Sequence, residues 1–363
     1  MLRQLLLCSA LLSLHCASAV PQVHYSGGTI SPFRSQSSQP SISAEAITVT
    51  LASLLSVKSP VPVEPSVAQQ VERLLQPDLF SRPAAVLAVA ITGSDIDLSG
   101  SESSVLIDGG TSDSQASQVL AAVASPKLTG DNLVKHVSLD YTSLQGCGSA
   151  CMEESLKQAL AATGATYAAG NGALKGTVSY EGIDIPISST AGQLWATELA
   201  ALYQTAQDAA QEHVRRVQQG SSEAERALLE CSLISLQAIQ QAVGADSAQY
   251  RAASKVTMKL VQIIQTLLSK AYDGRLATQV ALLGNVPEPF DSVKGLVKWQ
   301  EAHRRKLLQS FPSNTLTNLQ WSERATAVTS FLVLLAGALG GVQCLTHMNF
   351  KRDTLLFGSA KSD

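Results

Sequence analysis

Histidines, cysteines and carboxylates are the side chains of this sequence whose spacing could support catalysis or metal binding. The six histidines are His15, His24, His136, His213, His303 and His347. No two of them have the spacing of metal ligands, and the chain lacks the G-x-S-x-G elbow that presents a hydrolase serine. We therefore predict no catalytic residue, no metal site and no cofactor. The alternative of a membrane-anchored hydrolase, whose acid and base come together only in the folded chain, remains open.

The cysteines could instead form a disulfide. The chain contains Cys8, Cys16, Cys147, Cys151, Cys231 and Cys344. The first two lie in the N-terminal apolar stretch and the last lies in a C-terminal apolar stretch. Cys147-Gly-Ser-Ala-Cys151 does not have the C-x-x-C spacing of a redox enzyme, but it could close a local disulfide in an oxidising compartment. Cys231 would then stay unpaired in a predicted helix.

The N-terminus has the features of a secretory signal peptide. Residues 1–19 contain one arginine, an apolar run of about ten residues, and the small-residue end Ala17-Ser18-Ala19. Such a run is too short to span a bilayer. We expect cleavage after Ala19, which places the next part of the chain in the lumen of the secretory system.

A second apolar stretch, residues 325–345, contains no charged residue and is long enough to cross a membrane as a helix. It predicts a single-pass type I membrane protein of the endoplasmic reticulum, Golgi or vacuolar endomembranes. The juxtamembrane segment would be residues 311–324 and the cytoplasmic tail residues 346–363. Small residues four apart would form a partner face on this helix, where another helix can approach closely: Ala336, Gly337, Gly340 and Gly341.

Between the signal peptide and the second apolar stretch, the composition and the hydrophobic periodicity change at residue 44 and again at residue 191. Residues 20–43 are rich in Ser, Gly and Pro and predict a flexible leader. Residues 44–190 predict an α/β lumenal domain, because AAVLAVAIT is typical of a strand buried on both faces and a hairpin fits around Gly170-Asn171-Gly172. Residues 191–310 read mainly as successive helices, one of them over ERALLECSLISLQAIQQAV at 225–243 and another opened by the capping pair Asp246 and Gln249. A short strand is expected after them at LATQVALL, residues 276–283. The predicted fold is therefore an α/β lumenal domain followed by a helical region, then one transmembrane helix.

The net charge argues against one class of partner. It is -3, with an isoelectric point near 6.1, so the chain offers no basic field that could hold nucleic acid.

Three stretches carry a family resemblance: LLQPDLFSRPAAVLAVAITG at 74–93, VGADSAQYRAASKV at 243–256, and MNFKRDTLLFGSAKSD at 348–363. They resemble the family of the renin receptor, the second accessory protein of the vacuolar proton pump (V-type ATPase), and are most similar to its plant and algal type I membrane relatives. The resemblance covers most of the mature chain, although residues 94–240 match poorly. Only Lys361 stands where relatives carry two basic retrieval residues in the tail.

The resemblance implies a role without catalysis. It implies a lumenal chaperone-like domain and a membrane helix packed against the proteolipid ring of the pump. We therefore expect a non-enzymatic accessory or assembly factor of the V-type ATPase, with its membrane sector as the partner. A lumenal or cell-surface receptor-like protein that binds a protein ligand is the alternative.

A basic cluster before the second apolar stretch has two interpretations. Arg304-Arg305-Lys306-Leu307 could be the solvated face of a helix. With the resemblance, it could also be a processing site, because it fits the R-x-x-L preference of the Golgi subtilisin-like site-1 protease. It does not fit furin, which would require arginine at both ends.

Overall fold

A seven-stranded mixed sheet runs through the part of the chain that the computed structural model describes, and a smaller three-stranded antiparallel sheet lies beside it. The described residues are 21–28, 31–34, 41–57, 59, 63–76, 82–93, 103–107, 134–139, 147–171, 174–220 and 226–284. All of them belong to one compact unit, Met1–Leu307.

The elements are numbered in chain order. The strands are β1 (Gln22–Ser26), β2 (Ser41–Ile42), β3 (Ala85–Thr92), β4 (Ser103–Ile107), β5 (Val134–Ser138), β6 (Thr166–Ala169), β7 (Gly176–Tyr180), β8 (Ile183–Pro186), β9 (Arg226–Leu233) and β10 (Leu276–Leu283). The helices are α1 (Ala44–Leu55), α2 (Pro65–Leu74), α3 (Ser149–Thr163), α4 (Thr190–Gln218), α5 (Ser235–Val243) and α6 (Ala248–Ala271).

The large sheet has the strand order β2-β4-β1-β10-β3-β9-β5. Strands β10, β3, β9 and β5 are parallel, whereas β1 is antiparallel to both of its neighbours. All eight residues of β3 and of β10 are buried, as expected for central strands that are covered on both faces. The strand predicted from AAVLAVAIT is thereby confirmed.

Helices cover the two faces of the sheet unequally. Helices α1 and α2 pack with Val86, Ala88 and Ala90 on one face, and helices α3 to α6 pack over the alternate residues Leu87 and Val89 on the other. The crossover from β2 to β3 and the crossover from β9 to β10 run in opposite directions along the sheet. Right-handed connections therefore place their helices on opposite faces.

The predicted division into an α/β half and a helical half is wrong. Strands β9 and β10 lie within the predicted helical region 191–310, yet they flank β3 in the middle of the large sheet. The stretch 225–243, which was predicted to form one helix, divides into strand β9 and helix α5. A short apolar run that is buried on both faces cannot be distinguished from a buried helix by periodicity alone. Residue 190 is therefore no domain boundary, and the described residues form one α/β fold with six helices.

The predicted leader also needs correction. Within residues 20–43, strand β1 inserts between β4 and β10 in the centre of the large sheet. Val23 and Tyr25 are fully buried, and Phe33 forms a bridge with Leu75 and is buried as well. These few apolar residues are spaced among serines and glycines, so the composition of the segment conceals them.

Two further predictions concern helices. Helix α6 begins one residue later than expected, because Ser247, rather than Asp246, is its N-cap and accepts a hydrogen bond from the backbone N–H of Tyr250. Among the described residues, no helix is long and apolar enough to cross a membrane. The stretch 325–345, which was expected to form such a helix, lies outside the described residues.

Candidate functional site

Ligand sites in open α/β sheets lie outside the carboxyl ends of the strands, so this edge of the large sheet is the first place to look. Strand β3 ends there at Thr92 and Gly93, and β9 ends at Leu233, directly before Ile234 and helix α5. One buried carboxylate, Glu198, reaches this edge from helix α4. A second, Glu230, lies within β9.

Glu198 binds the start of helix α5. Its carboxylate accepts hydrogen bonds from the backbone N–H groups of Ile234 at 3.1 Å and Ser235 at 3.0 Å, and from the Ser235 hydroxyl at 2.5 Å. Free amides and the helix dipole favour a negative charge at a helix N-terminus. Helix α4 carries Glu198 on its buried side, where the residue is 3% exposed.

Burial decides the proton affinity of this group. Removal from water raises the pKa of Glu198 from 4.5 to about 7, although the hydrogen bonds from Ser235 and Ile234 favour the ionised form. The donors that hold the carboxylate are neutral, so they offset the loss of hydration only in part. Glu198 can therefore take up a proton between neutral and mildly acidic pH.

Tight contacts surround the Glu198 cluster. Thr92 Oγ1 donates a hydrogen bond to the carbonyl oxygen of Ile234 at 3.4 Å, and the Tyr250 hydroxyl donates one to the carbonyl oxygen of Gly93. Gly93 has a positive φ of 72°, and a Cβ there would lie 2.7 Å from the Cα of Gln237. These contacts fix the N-terminal parts of α4, α5 and α6 to the end of β3.

The second carboxylate has an imidazole partner. His136 Nε2, on edge strand β5, lies 3.0 Å from Glu230 Oε2, and the two side chains are 40% and 5% exposed. Ser138 is paired with Glu230 in the register of β5 and β9. Among the described residues, however, Ser138 makes no contact with His136 that would join it to this pair. This pair could not be predicted, because the sequence pattern around Glu230 indicates a helix, whereas the residue lies in strand β9. The available sequence signal was the two-residue spacing of Leu228 and Glu230, which places both side chains on one face of a strand.

Several of the predicted site residues fall within the described part of the chain. Cys147 and Cys151 form a disulfide at the start of α3, and Cys231 is buried in β9 instead of a helix and is not part of a disulfide. The signal cleavage position, the processing cluster and the partner face lie outside the described residues and stay predictions: Ala19; Arg304, Arg305, Lys306 and Leu307; Ala336, Gly337, Gly340 and Gly341.

The described residues also include a cleft of about 470 Å³. It lies along α2, and neither Glu198 nor Glu230 lines it. Four polar or charged and two apolar residues form its lining: Arg34, Gln69, Val71, Glu72, Arg73 and Leu75. Within the described ranges, no group of three or more His, Cys, Asp or Glu side chains could hold a metal ion.

Comparison with known proteins identifies a family whose function is unknown. A family model described as a domain of unknown function (DUF7794) matches residues 30–283. The match ends at the last residue of β10 and so includes nine of the ten strands in full. No curated protein and no solved structure matches the chain significantly.

Proposed function

The chain belongs to the DUF7794 family, and we propose that it is a non-enzymatic accessory or assembly factor of the V-type ATPase that acts from the lumen of the endomembrane system. A protein in that position has to stay folded while the pump acidifies its surroundings. The observation that carries the proposal is the Glu198 cluster, in which neutral donors at the N-terminus of α5 hold a buried carboxyl whose pKa burial raises to about 7.

The direction of the effect follows from linkage. The folded chain holds the Glu198 proton more tightly than the unfolded chain, whose glutamate titrates near 4.5. The contribution to stability is therefore fully present below pH 4.5 and is lost as the pH rises through about 7. Acidification of the compartment stabilises the fold through this group.

The disulfide supports a lumenal location. Cys147 and Cys151 are bonded to each other, and such bonds persist in the oxidising secretory pathway but are rare in the cytosol. The predicted N-terminal signal peptide favours the same compartment.

Two of the stretches that carry the resemblance contact each other in the folded chain. Residues 74–93 end at Gly93, and Tyr250, from residues 243–256, donates its hydroxyl hydrogen to the carbonyl oxygen of Gly93. Two stretches that are far apart in sequence thus form one structural unit beside Glu198.

The direct test is co-purification. Epitope-tagged full-length chain, extracted in a mild detergent, should recover the proteolipid subunits of the pump membrane sector. An unrelated tagged lumenal protein at equal expression is the control. Recovery no greater than this control would contradict the accessory role.

The cleft beside α2 favours the receptor-like alternative. Two arginines, Arg34 and Arg73, line it together with the apolar Val71 and Leu75, and this combination suits an acidic peptide segment with apolar side chains. In the same co-purification, one recurrent protein ligand in place of pump subunits would favour this second function. Loss of that ligand in Arg34→Ala would assign it to the cleft.

A further inference from the structure

The disulfide at the start of helix α3 joins one exposed and one half-buried cysteine. Cys147 precedes the N-cap residue, Gly148, and Cys151 lies in the first helical turn. Cys151 is exposed, whereas Cys147 is half-buried and packs against the core. A thiol from solvent can therefore approach one of the two sulfurs directly.

The surroundings favour a thiolate at this position. Gly148 has no side chain to cap α3, and the first turn of the helix contains no acidic residue. Among the described residues no side chain caps the first amides of α3, and helix N-termini lower the pKa of nearby thiols because these amides favour a negative charge. A cysteine thiolate released here is a better leaving group than one in a neutral setting.

The disulfide is poorly suited to act as a structural staple. It joins residues only four apart, and a small closed loop removes little entropy from the unfolded chain. Helix α3 is held to the body by its own buried side chains: Met152, Ser155, Leu156, Ala159, Leu160 and Thr163. Reduction should therefore leave the fold in place.

From these observations together, we propose that Cys147–Cys151 is a thiol–disulfide exchange site for dithiol-containing proteins of the same compartment. A thiolate of the partner attacks Sγ of Cys151, the Sγ–Sγ bond breaks, and the electron pair leaves on Cys147. The second partner thiol then attacks the mixed disulfide and releases Cys151. The partner loses two electrons and two protons, which the cysteine pair gains as two thiols.

The first experiment measures access under native conditions. Purified full-length chain is treated with millimolar dithiothreitol, alkylated and mapped by peptide mass spectrometry, while far-UV circular dichroism follows the fold. We expect Cys147 and Cys151 to be labelled and the dichroism to be unchanged. Buried Cys231 is the internal control, which should stay unlabelled. Reduction that occurs only together with labelling of Cys231 would show a structural disulfide and overturn the proposal.

The second experiment tests which cysteine is more accessible to exchange, the property on which attack at Cys151 depends. Cys147→Ser leaves the exposed Cys151 free, and Cys151→Ser is the matched control. With oxidised glutathione, the mixed disulfide should form at Cys151 roughly tenfold faster than at Cys147, because access limits the exchange rate. Equal rates would contradict attack at Cys151.

The third experiment tests the transfer itself. The oxidised wild-type chain is mixed with a reduced peptide that carries a C-x-x-C pair. The peptide should become oxidised in proportion to the chain added, and the double variant Cys147→Ser with Cys151→Ser should oxidise none. No oxidation by the wild-type chain would overturn the proposal. Because pump subunits are absent, the result is independent of the accessory role.

Discussion

The two buried carboxylates of this fold differ in what compensates their charge. Glu198 accepts hydrogen bonds from two backbone amides and one hydroxyl at the N-terminus of α5. Glu230, in the neighbouring strand β9, lies 3.0 Å from the imidazole of His136. The first carboxylate has only neutral donors, whereas the second has a partner that can itself carry a positive charge.

This difference separates two uses of a buried acid. Neutral donors hold Glu198 in one place but leave its ionisation costly, so the group couples folding to pH. The half-exposed imidazole of His136 instead holds Glu230 through a direct side-chain contact. The comparison teaches that burial alone does not decide how an acidic side chain acts, because the chemistry of its donors decides it too.

The largest effect is expected from breaking the Glu198 cluster. Glu198→Leu removes the acceptor from Ile234 N, Ser235 N and the Ser235 hydroxyl, and all of these donors are buried. We expect a loss of about 3–5 kcal/mol in the free energy of unfolding, measured by urea denaturation at pH 7. Glu198→Gln keeps an acceptor oxygen and should lose less than half as much. Equal losses in the two variants would contradict the capping role.

A smaller effect is expected from the second carboxylate. Glu230→Leu removes the partner of His136, whose side chain is 40% exposed and can be rehydrated. We expect a loss of about 1–2 kcal/mol in the same denaturation experiment. His136→Gln is the matched variant on the other side of the pair. A loss as large as that of Glu198→Leu would remove the distinction between the two sites.

The comparison is sharpened by a buried polar side chain that carries no charge. Gln279, in β10, is fully buried, and neither side-chain polar atom has a hydrogen-bond partner among the described residues. Gln279→Met should therefore raise the free energy of unfolding by about 1 kcal/mol, because an unsatisfied amide is replaced by an apolar side chain of similar size. Destabilisation by this variant would show that the amide has a partner.

The elements that the sequence predicts best are those whose burial is uniform. The run AAVLAVAIT and the run LATQVALL form β3 and β10, where every residue is buried. The hairpin around residue 171 is also present, as β6 and β7. In these segments the local pattern and the final environment agree, so a reading of the local pattern suffices.

The elements that escaped prediction depend on distant partners. Strand β1 has only five residues, and it is stabilised by β4 and β10, which follow it far along the chain. Strand β9 resembles the start of the helix that follows it, and only pairing with β3 and β5 makes it a strand. The pairing of His136 with Glu230 depends on that register and could not be found earlier. The Glu198 cluster joins α4 to α5, which no local pattern indicates.

The pH dependence of stability tests most directly whether the fold is suited to an acidifying lumen. Unfolding free energies of the wild-type chain and Glu198→Gln are measured from pH 8 to pH 5, both in a His213→Gln background. Burial lowers the pKa of His213. This imidazole would therefore destabilise the folded state as the pH falls and would oppose the effect of Glu198. The wild-type Glu198 should gain about 2–3 kcal/mol toward pH 5, and Glu198→Gln should gain none of it. Equal pH profiles for the two chains, or a loss of stability toward pH 5 that depends on Glu198, would contradict the account.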